Sequence, residues 1–240
     1  MSALALGILM TMVGAPSPEA QVRTTTHDGI PLDEPILMRL HGVMLRIPAG
    51  YLAPWPGLRM RSGVNEASRT AFNFWMPSRR YVEISSLSIV GSRPRERGRP
   101  SPAPDAYVVM VHDFSSRAPN KLDYRSPEKQ IRNLMKLPGR ESYSFEQQDF
   151  DLVRFWRQDW PYAQPEPFVH FRHVEGSDPQ ILLRCTAPHR PSPNPVCDGD
   201  VYFASDELSF HVVFPRDQVS NWRNSILAVR DLFNSWKATQ

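Results

Sequence analysis

The sequence predicts an α+β fold made mainly of antiparallel sheet, with two amphipathic helices. Three observations carry this. Short runs rich in Val, Ile, Phe, Tyr and Trp recur between turns marked by Gly, Pro and Asp. Two stretches show the three-and-four spacing of an apolar helix face. Each of these stretches closes a series of strand-like runs, so the chain divides near Gly139 into two similar strand–strand–helix halves. The expected organisation is an export segment and lead-in at 1–20, an N-terminal α/β half at 21–139 and a C-terminal α/β half at 140–240.

A chain of 240 residues, 41% of them apolar, is long enough to bury a sizeable core. Its 24 prolines are about twice the usual proportion and imply many chain reversals. The net charge of +3 is too small to argue for nucleic-acid binding. No apolar run after the N-terminus is long enough to span a bilayer. Residues 3–13 (ALALGILMTMV) form a short apolar run, followed by Gly14, Ala15 and Pro16. That is the length of the apolar region of a secretory signal, and the expected location is the periplasm. No Lys or Arg precedes the run, and Pro16 follows the small residues where cleavage would fall. A buried N-terminal helix is the alternative reading of this segment.

Two strands are expected at Ile36–Leu40 and Val43–Ile47, joined across His41 and Gly42 and ended by Pro48. An aromatic, Pro-rich loop follows at Tyr51–Pro56. Ala71–Trp75 reads as a strand with Phe72 and Phe74 on one face, and Tyr81–Ile89 as a third. Residues 91–104 (GSRPRERGRPSPAP) carry Arg93, Arg95, Arg97 and Arg99 among Pro and Gly, and read as an exposed loop. Tyr107–Phe114 is a near-continuous apolar run and reads as a central strand. Ser126, Pro127 and Glu128 supply an N-cap, a first-turn Pro and a first-turn acid. The helix they open has Ile131, Leu134 and Met135 as its apolar stripe and stops near Leu137, before Pro138 and Gly139.

In the second half Phe150–Trp156, Phe168–Val174, Gln180–Thr186, Val201–Ala204 and Leu208–Phe214 read as strands. Turns are expected at Gly176–Pro179 and Asp198–Asp200. Within Phe168–Val174, Phe168, His170 and Arg172 share one face and Val169, Phe171 and His173 the other. The last helix is the clearest element. Val219, Trp222, Ile226, Val229, Phe233 and Trp236 recur at steps of three and four, with Asp217 near the start. The cysteines, Cys185 and Cys197, flank a Pro-rich loop. This spacing suits a hairpin-closing disulfide, a bond that persists in oxidising compartments. Two free buried thiols are the alternative.

No motif with a mechanism stands out. The chain has no Gly-rich phosphate loop, no nucleophile elbow, no HExxH and no paired CxxC. His170 and His173 fall on opposite strand faces, which argues against a metal pair. Asp198, Asp200, Asp206 and Glu207 lack the spacing of a calcium loop. His112, Asp113 and Ser115 are strand neighbours that diverge. No catalytic residue, metal or cofactor is expected. Trp156, Arg157, Trp160 and Tyr162 place aromatic rings beside charge, the composition of interface anchors. Burial of these rings at sheet ends is the structural alternative.

Val43–Leu52 (VMLRIPAGYL) resembles the opening of small periplasmic proteins of uncertain function. Leu183–Cys185, Cys197, Val201, Tyr202, Leu208–Phe214, Val219, Trp222 and Leu232–Trp236 are similar to their C-terminal part. Some proteins of this kind are immunity proteins that neutralise a secreted bacterial effector, including in type VI secretion. The resemblance implies a non-enzymatic protein-binding protein whose partner is a cognate toxin. Its contacts would come from Arg93, Arg95, Arg97 and Arg99 and from Trp156, Arg157, Trp160 and Tyr162. An envelope hydrolase or small-ligand carrier with an unrecognised site is the alternative, and an envelope assembly factor a third.

Overall fold

The computed structural model describes residues 25–26, 29–52, 63–82, 106–115, 127, 130, 143–147, 150–157, 168–173, 178–187 and 195–238. Within strands, the side chains of 143–145, 147, 155–157, 168–169 and 173 fall outside that description. The helix expected over 126–137 lies outside it apart from Pro127 and Gln130, both with helical backbone. So do the export segment and the strand expected beyond Val82.

The chain opens with a hairpin of β1 (Pro35–Leu40) and β2 (Val43–Pro48). His41 and Gly42 turn it with φ of 47° and 90°, the left-handed pair whose twist matches the flanking strands. A single helical turn, α1 (Ala49–Leu52), follows Pro48. The short strand β3 (Val64–Ala67) then adds in parallel to β1, completing a three-stranded sheet in the order β2-β1-β3. Sequence periodicity does not reveal β3, because its residues VNEA alternate only between half-buried and exposed.

The main sheet has eight strands. They are β4 (Thr70–Met76), β5 (Tyr107–Ser115), β6 (Tyr143–Gln147), β7 (Leu152–Arg157), β8 (Phe168–His173), β9 (Gln180–Thr186), β10 (Val196–Phe203) and β11 (Leu208–Pro215). Their order is β4-β5-β11-β10-β9-β8-β7-β6, antiparallel throughout. The expected halves therefore do not each own a sheet. Strands β4 and β5, from before Gly139, hydrogen-bond into the sheet of the later strands through β5 and β11. A shared ladder joins the two segments.

Strand β10 corrects a second expectation. Asp198, Gly199 and Asp200 are not a turn but lie in mid-strand, paired with β9 and β11. Gly199 is required there by close approach. A Cβ at this position would lie 2.1 Å from the Leu182 carbonyl oxygen and 2.8 Å from Leu183 Cα. The turn instead falls at Ala204–Glu207, where Glu207 takes a φ of 50°.

After β11 the chain makes a 3-10 turn over Arg216–Asn221 and enters α2 (Trp222–Trp236). Asp217 and Val219 thus precede the α-helix. Below Trp222 the three-residue period of the 3-10 turn keeps Val219 nearly in phase with the apolar stripe. Trp222, Ile226, Val229, Phe233 and Trp236 are all buried, as the spacing predicted. Trp236 lies 4.9 Å from Phe72 of β4 and 5.0 Å from Tyr51 of α1, and Phe233 lies 5.5 Å from Phe114 of β5 (ring centroids). The core is the inner face of the main sheet, α2, and the buried side of β1 and β2 (Met38, Leu40, Leu45 and Ile47). No described helix is long and apolar enough to cross a membrane.

Cys185 and Cys197 are directly opposed on β9 and β10 and form a disulfide with a Cα–Cα distance of 4.0 Å. Thr186 Oγ1 donates to the Val196 carbonyl and accepts from its N–H. The Arg216 guanidinium donates to the Thr186 and Ala187 carbonyls at 3.2 and 3.1 Å. Disulfide, hydroxyl and guanidinium therefore hold one end of the hairpin together. Replacing both cysteines by Ser is expected to lower the unfolding free energy by about 2–4 kcal/mol in urea titrations, with the far-UV spectrum retained. Gly199→Ala is expected to cost more than about 3 kcal/mol by the same measurement, since the β9 backbone must move to admit the methyl group.

Candidate functional site

The face of the main sheet turned away from α2 gathers charge where the inner face gathers rings. Alternation along β10 buries Cys197, Gly199, Val201 and Phe203 on one side and sends Asp198 and Asp200 to the other. Register then aligns two cross-strand rows. His112 of β5 opposes His211 of β11, which opposes Asp200. Asp198 opposes Arg184 of β9, which opposes His170 of β8.

The rows are joined by short contacts. His211 Nδ1 lies 3.0 Å from Asp200 Oδ1, and its Nε2 lies 3.6 Å from Asp198 Oδ2. Arg184 Nη2 and Nε donate to the two oxygens of Asp198 at 2.8 and 3.3 Å. Gln130 Nε2 donates to Asp200 Oδ2 at 2.5 Å. The His112 and His211 rings are 6.2 Å apart. Both nitrogens of His211 face carboxylates, so the ring acts here as a tie between β11 and β10. Among the described residues, no group of three or more His, Cys, Asp and Glu is arranged to hold a metal ion.

Burial pushes the His170 imidazole down to about 4; the neighbouring Arg184 charge adds to this and Asp198 opposes it. His112 is also lowered, first by burial and then by His211, against a smaller opposing effect of Asp113. Asp113 sits at the bulge of β5 with a φ of 51°, and Arg69 approaches it at 3.5 Å.

Of the residues singled out in the sequence, Trp156 and Arg157 fall in β7, opposite Ser144 and Tyr143 of β6. Arg93, Arg95, Arg97, Arg99, Trp160 and Tyr162 lie outside the described residues. The face assignment of His170 and Arg172 against Phe171 holds, with Phe171 in the core. Asp206 does not join Asp198 and Asp200. Its carboxylate takes Arg230 of α2 at 2.8 Å. The network of His112, His211, Asp198, Asp200 and Arg184 was not apparent in the sequence. Its local signal was the polar-apolar alternation through β10, masked by the turn-like Asp-Gly-Asp.

No protein-family model matches the chain. No curated protein matches it either. A solved structure does: Smlt3025, an immunity protein of the Stenotrophomonas maltophilia type IV secretion system. It is similar with a TM-score of 0.56 and 13% identity, over 90% of this chain and 98% of that one. The chain thus has a fold found in a secretion-system immunity protein. The neighbour belongs to a type IV system, so the fold does not point specifically to type VI.

The histidine environments set a pH dependence. An unfolded chain binds protons on these rings near pH 6.5, whereas His170 in the folded protein binds one only near 4. The unfolded state therefore holds more protons between these values, and stability falls as pH drops through that window. The His170 contribution approaches roughly 3 kcal/mol at its acid end. Urea midpoints are expected to fall from about pH 7 to about pH 4.5, and His170→Gln to flatten that slope.

Proposed function

We propose that this protein is a non-enzymatic immunity protein that binds and neutralises a secreted bacterial effector in the periplasm. The observation that carries the reading is the extent of the fold likeness to Smlt3025, which takes in nearly the whole of both chains. The disulfide supports an oxidising compartment. An antiparallel sheet held on one face by α2 is a rigid base for loops, and loops on rigid scaffolds commonly carry recognition. In this reading the contacts come from the arginine loop at 93–99 and from Trp156, Arg157, Trp160 and Tyr162. Arg and the large aromatics contribute disproportionately to protein interfaces, because one rigid side chain buries much area and still hydrogen-bonds.

The test is periplasmic co-expression with the product of the adjacent gene, which this reading expects to be a toxin. The expected result is restored growth and a stable complex on size-exclusion chromatography. Substituting Trp156 and Arg157 together by Ala is expected to weaken the complex by about 10- to 100-fold while leaving the melting temperature within a few degrees. Unrelieved toxicity with no complex at about 10 μM of each protein, a concentration that detects micromolar affinity, would overturn the proposal.

A further inference from the structure

The two edges of the three-stranded sheet differ. On β2 the outer edge is closed by the end of the chain: Lys237 bridges Leu45, and the Ala238 N–H donates to the Met44 carbonyl. On β3 no described residue adds to the outer edge. Leu40 and Val43 close the β1–β2 turn, so Leu40, Met38 and Ile36 bond β2, and the alternate residues Leu37 and Arg39 bond β3. The slanted bonds of a parallel pair run to residues on either side of the register partner. The partners of Leu37 and Arg39, Val64 and Glu66, therefore direct their own N–H and C=O groups at the open edge. Val64 is also 45% exposed, the one large apolar side chain so exposed among the described residues. We propose that the β3 edge is a strand-addition site for an extended segment of a partner protein, with an apolar residue beside Val64 and a Lys or Arg two positions away beside Glu66.

Asn65 holds β3 in place for this role. Its side-chain amide donates to the Leu37 and Gly63 carbonyls at 3.1 and 3.3 Å, pinning the strand to β1. Register sets what a fourth strand meets. Leu37 opposes Val64 in one row and Arg39 opposes Glu66 in the next, on the same face of the sheet. An apolar residue beside Val64 lengthens the first row, and cross-strand apolar pairs stabilise a sheet. Arg39 Nη1 meets Glu66 Oε1 at 2.6 Å, yet the Glu66 side chain is 63% exposed. A basic residue on its far side makes the second row alternate in charge. Open edges are normally blunted by projecting charge, Pro or cover. Strand β3 has no Pro, and its one charge is turned to Arg39. A second copy of this chain fits poorly. Antiparallel pairing of β3 with itself about Asn65 sets Val64 against Glu66, and pairing about Glu66 brings two carboxylates together. The site goes beyond the effector reading, because main-chain bonds supply the affinity whichever protein brings the strand.

Amide NMR of the full chain, titrated with the blocked peptide TTVTKTT, tests it. Shifts are expected to centre on the Val64 and Glu66 amides, with slower exchange there and a Kd of about 1 mM. The peptide TTVTETT is expected to bind at least about threefold more weakly. Glu66→Gln is expected to remove the difference between the two peptides, and Glu66→Lys to reverse it. Val64→Pro deletes an outward N–H without removing a β1–β3 bond, and is expected to abolish binding of both. Glu66→Gln decides the matter if Val64→Pro unsettles β3. No shift in β3 at about 5 mM peptide, or equal binding of the two peptides to the wild type, would overturn the proposal. So would a dimer whose β3 amides are already protected without peptide, which would give the edge to a second copy.

Discussion

The burial of α2 against both sheets is the constraint on which the fold depends. Its apolar face, from Trp222 to Trp236, touches β4, β5 and α1 at once. Tyr107 and Ser225 hydrogen-bond across this interface at 2.9 Å, and Trp222 Nε1 donates to the Phe150 carbonyl at 2.8 Å. Burying each large side chain contributes about 1.5–3 kcal/mol. Just beyond the helix, Ala238 N–H donates to the Met44 carbonyl, tying the end of the chain to β2. Without α2, the inner face of the main sheet and the buried side of β1 and β2 would both meet water.

Ion pairs around α2 add orientation more than energy. Arg223 meets Asp151, Arg230 meets Asp206, and Asp231 meets Arg79. The Arg223–Asp151 and Arg79–Asp231 pairs are exposed, where such contacts are worth little, whereas Asp206 is largely shielded. They nevertheless join the helix to three separate parts of the chain. The charged rows on the opposite face differ in kind, because rigid strands hold their members in register. Asp198 and Asp200 are mostly buried, so their contacts with Arg184, His211 and Gln130 are needed to offset the loss of water.

Much of the secondary structure was legible in the sequence. Strand β9 has the predicted boundaries, and β1, β2, β4, β5 and β11 lie within a residue or so of expectation, because each has a dense β-branched or aromatic run. The stripe of α2 is legible because 3.6-residue periodicity is strongest in a long helix buried on one side. Strand β3 was not legible, since a polar edge strand leaves no apolar alternation. Strand β6 (YSFEQ) carries a weak alternation of Tyr143 and Phe145 with Ser144 and Glu146, too short at five residues to stand out. The Asp-Gly-Asp of β10 misled because the same tripeptide serves a turn or a crowded strand. Gly199 is there for the second reason. The candidate site was scarcely legible, since Asp200 and Gln130 stand far apart in the sequence.

The sequence by itself determined the composition of the core, most strand positions and the disulfide pair. These depend on local periodicity and on there being only two cysteines. Tertiary structure alone decided which strands are neighbours. The β5–β11 pairing, which merges the expected halves into one sheet, joins residues about a hundred positions apart and leaves no mark in either strand. The same holds for the charged face. Each of its residues reads as an ordinary polar position until antiparallel register sets His211 between two carboxylates and Arg184 against Asp198. Alternation tells which side chains leave the core; the register of distant strands tells which of them meet.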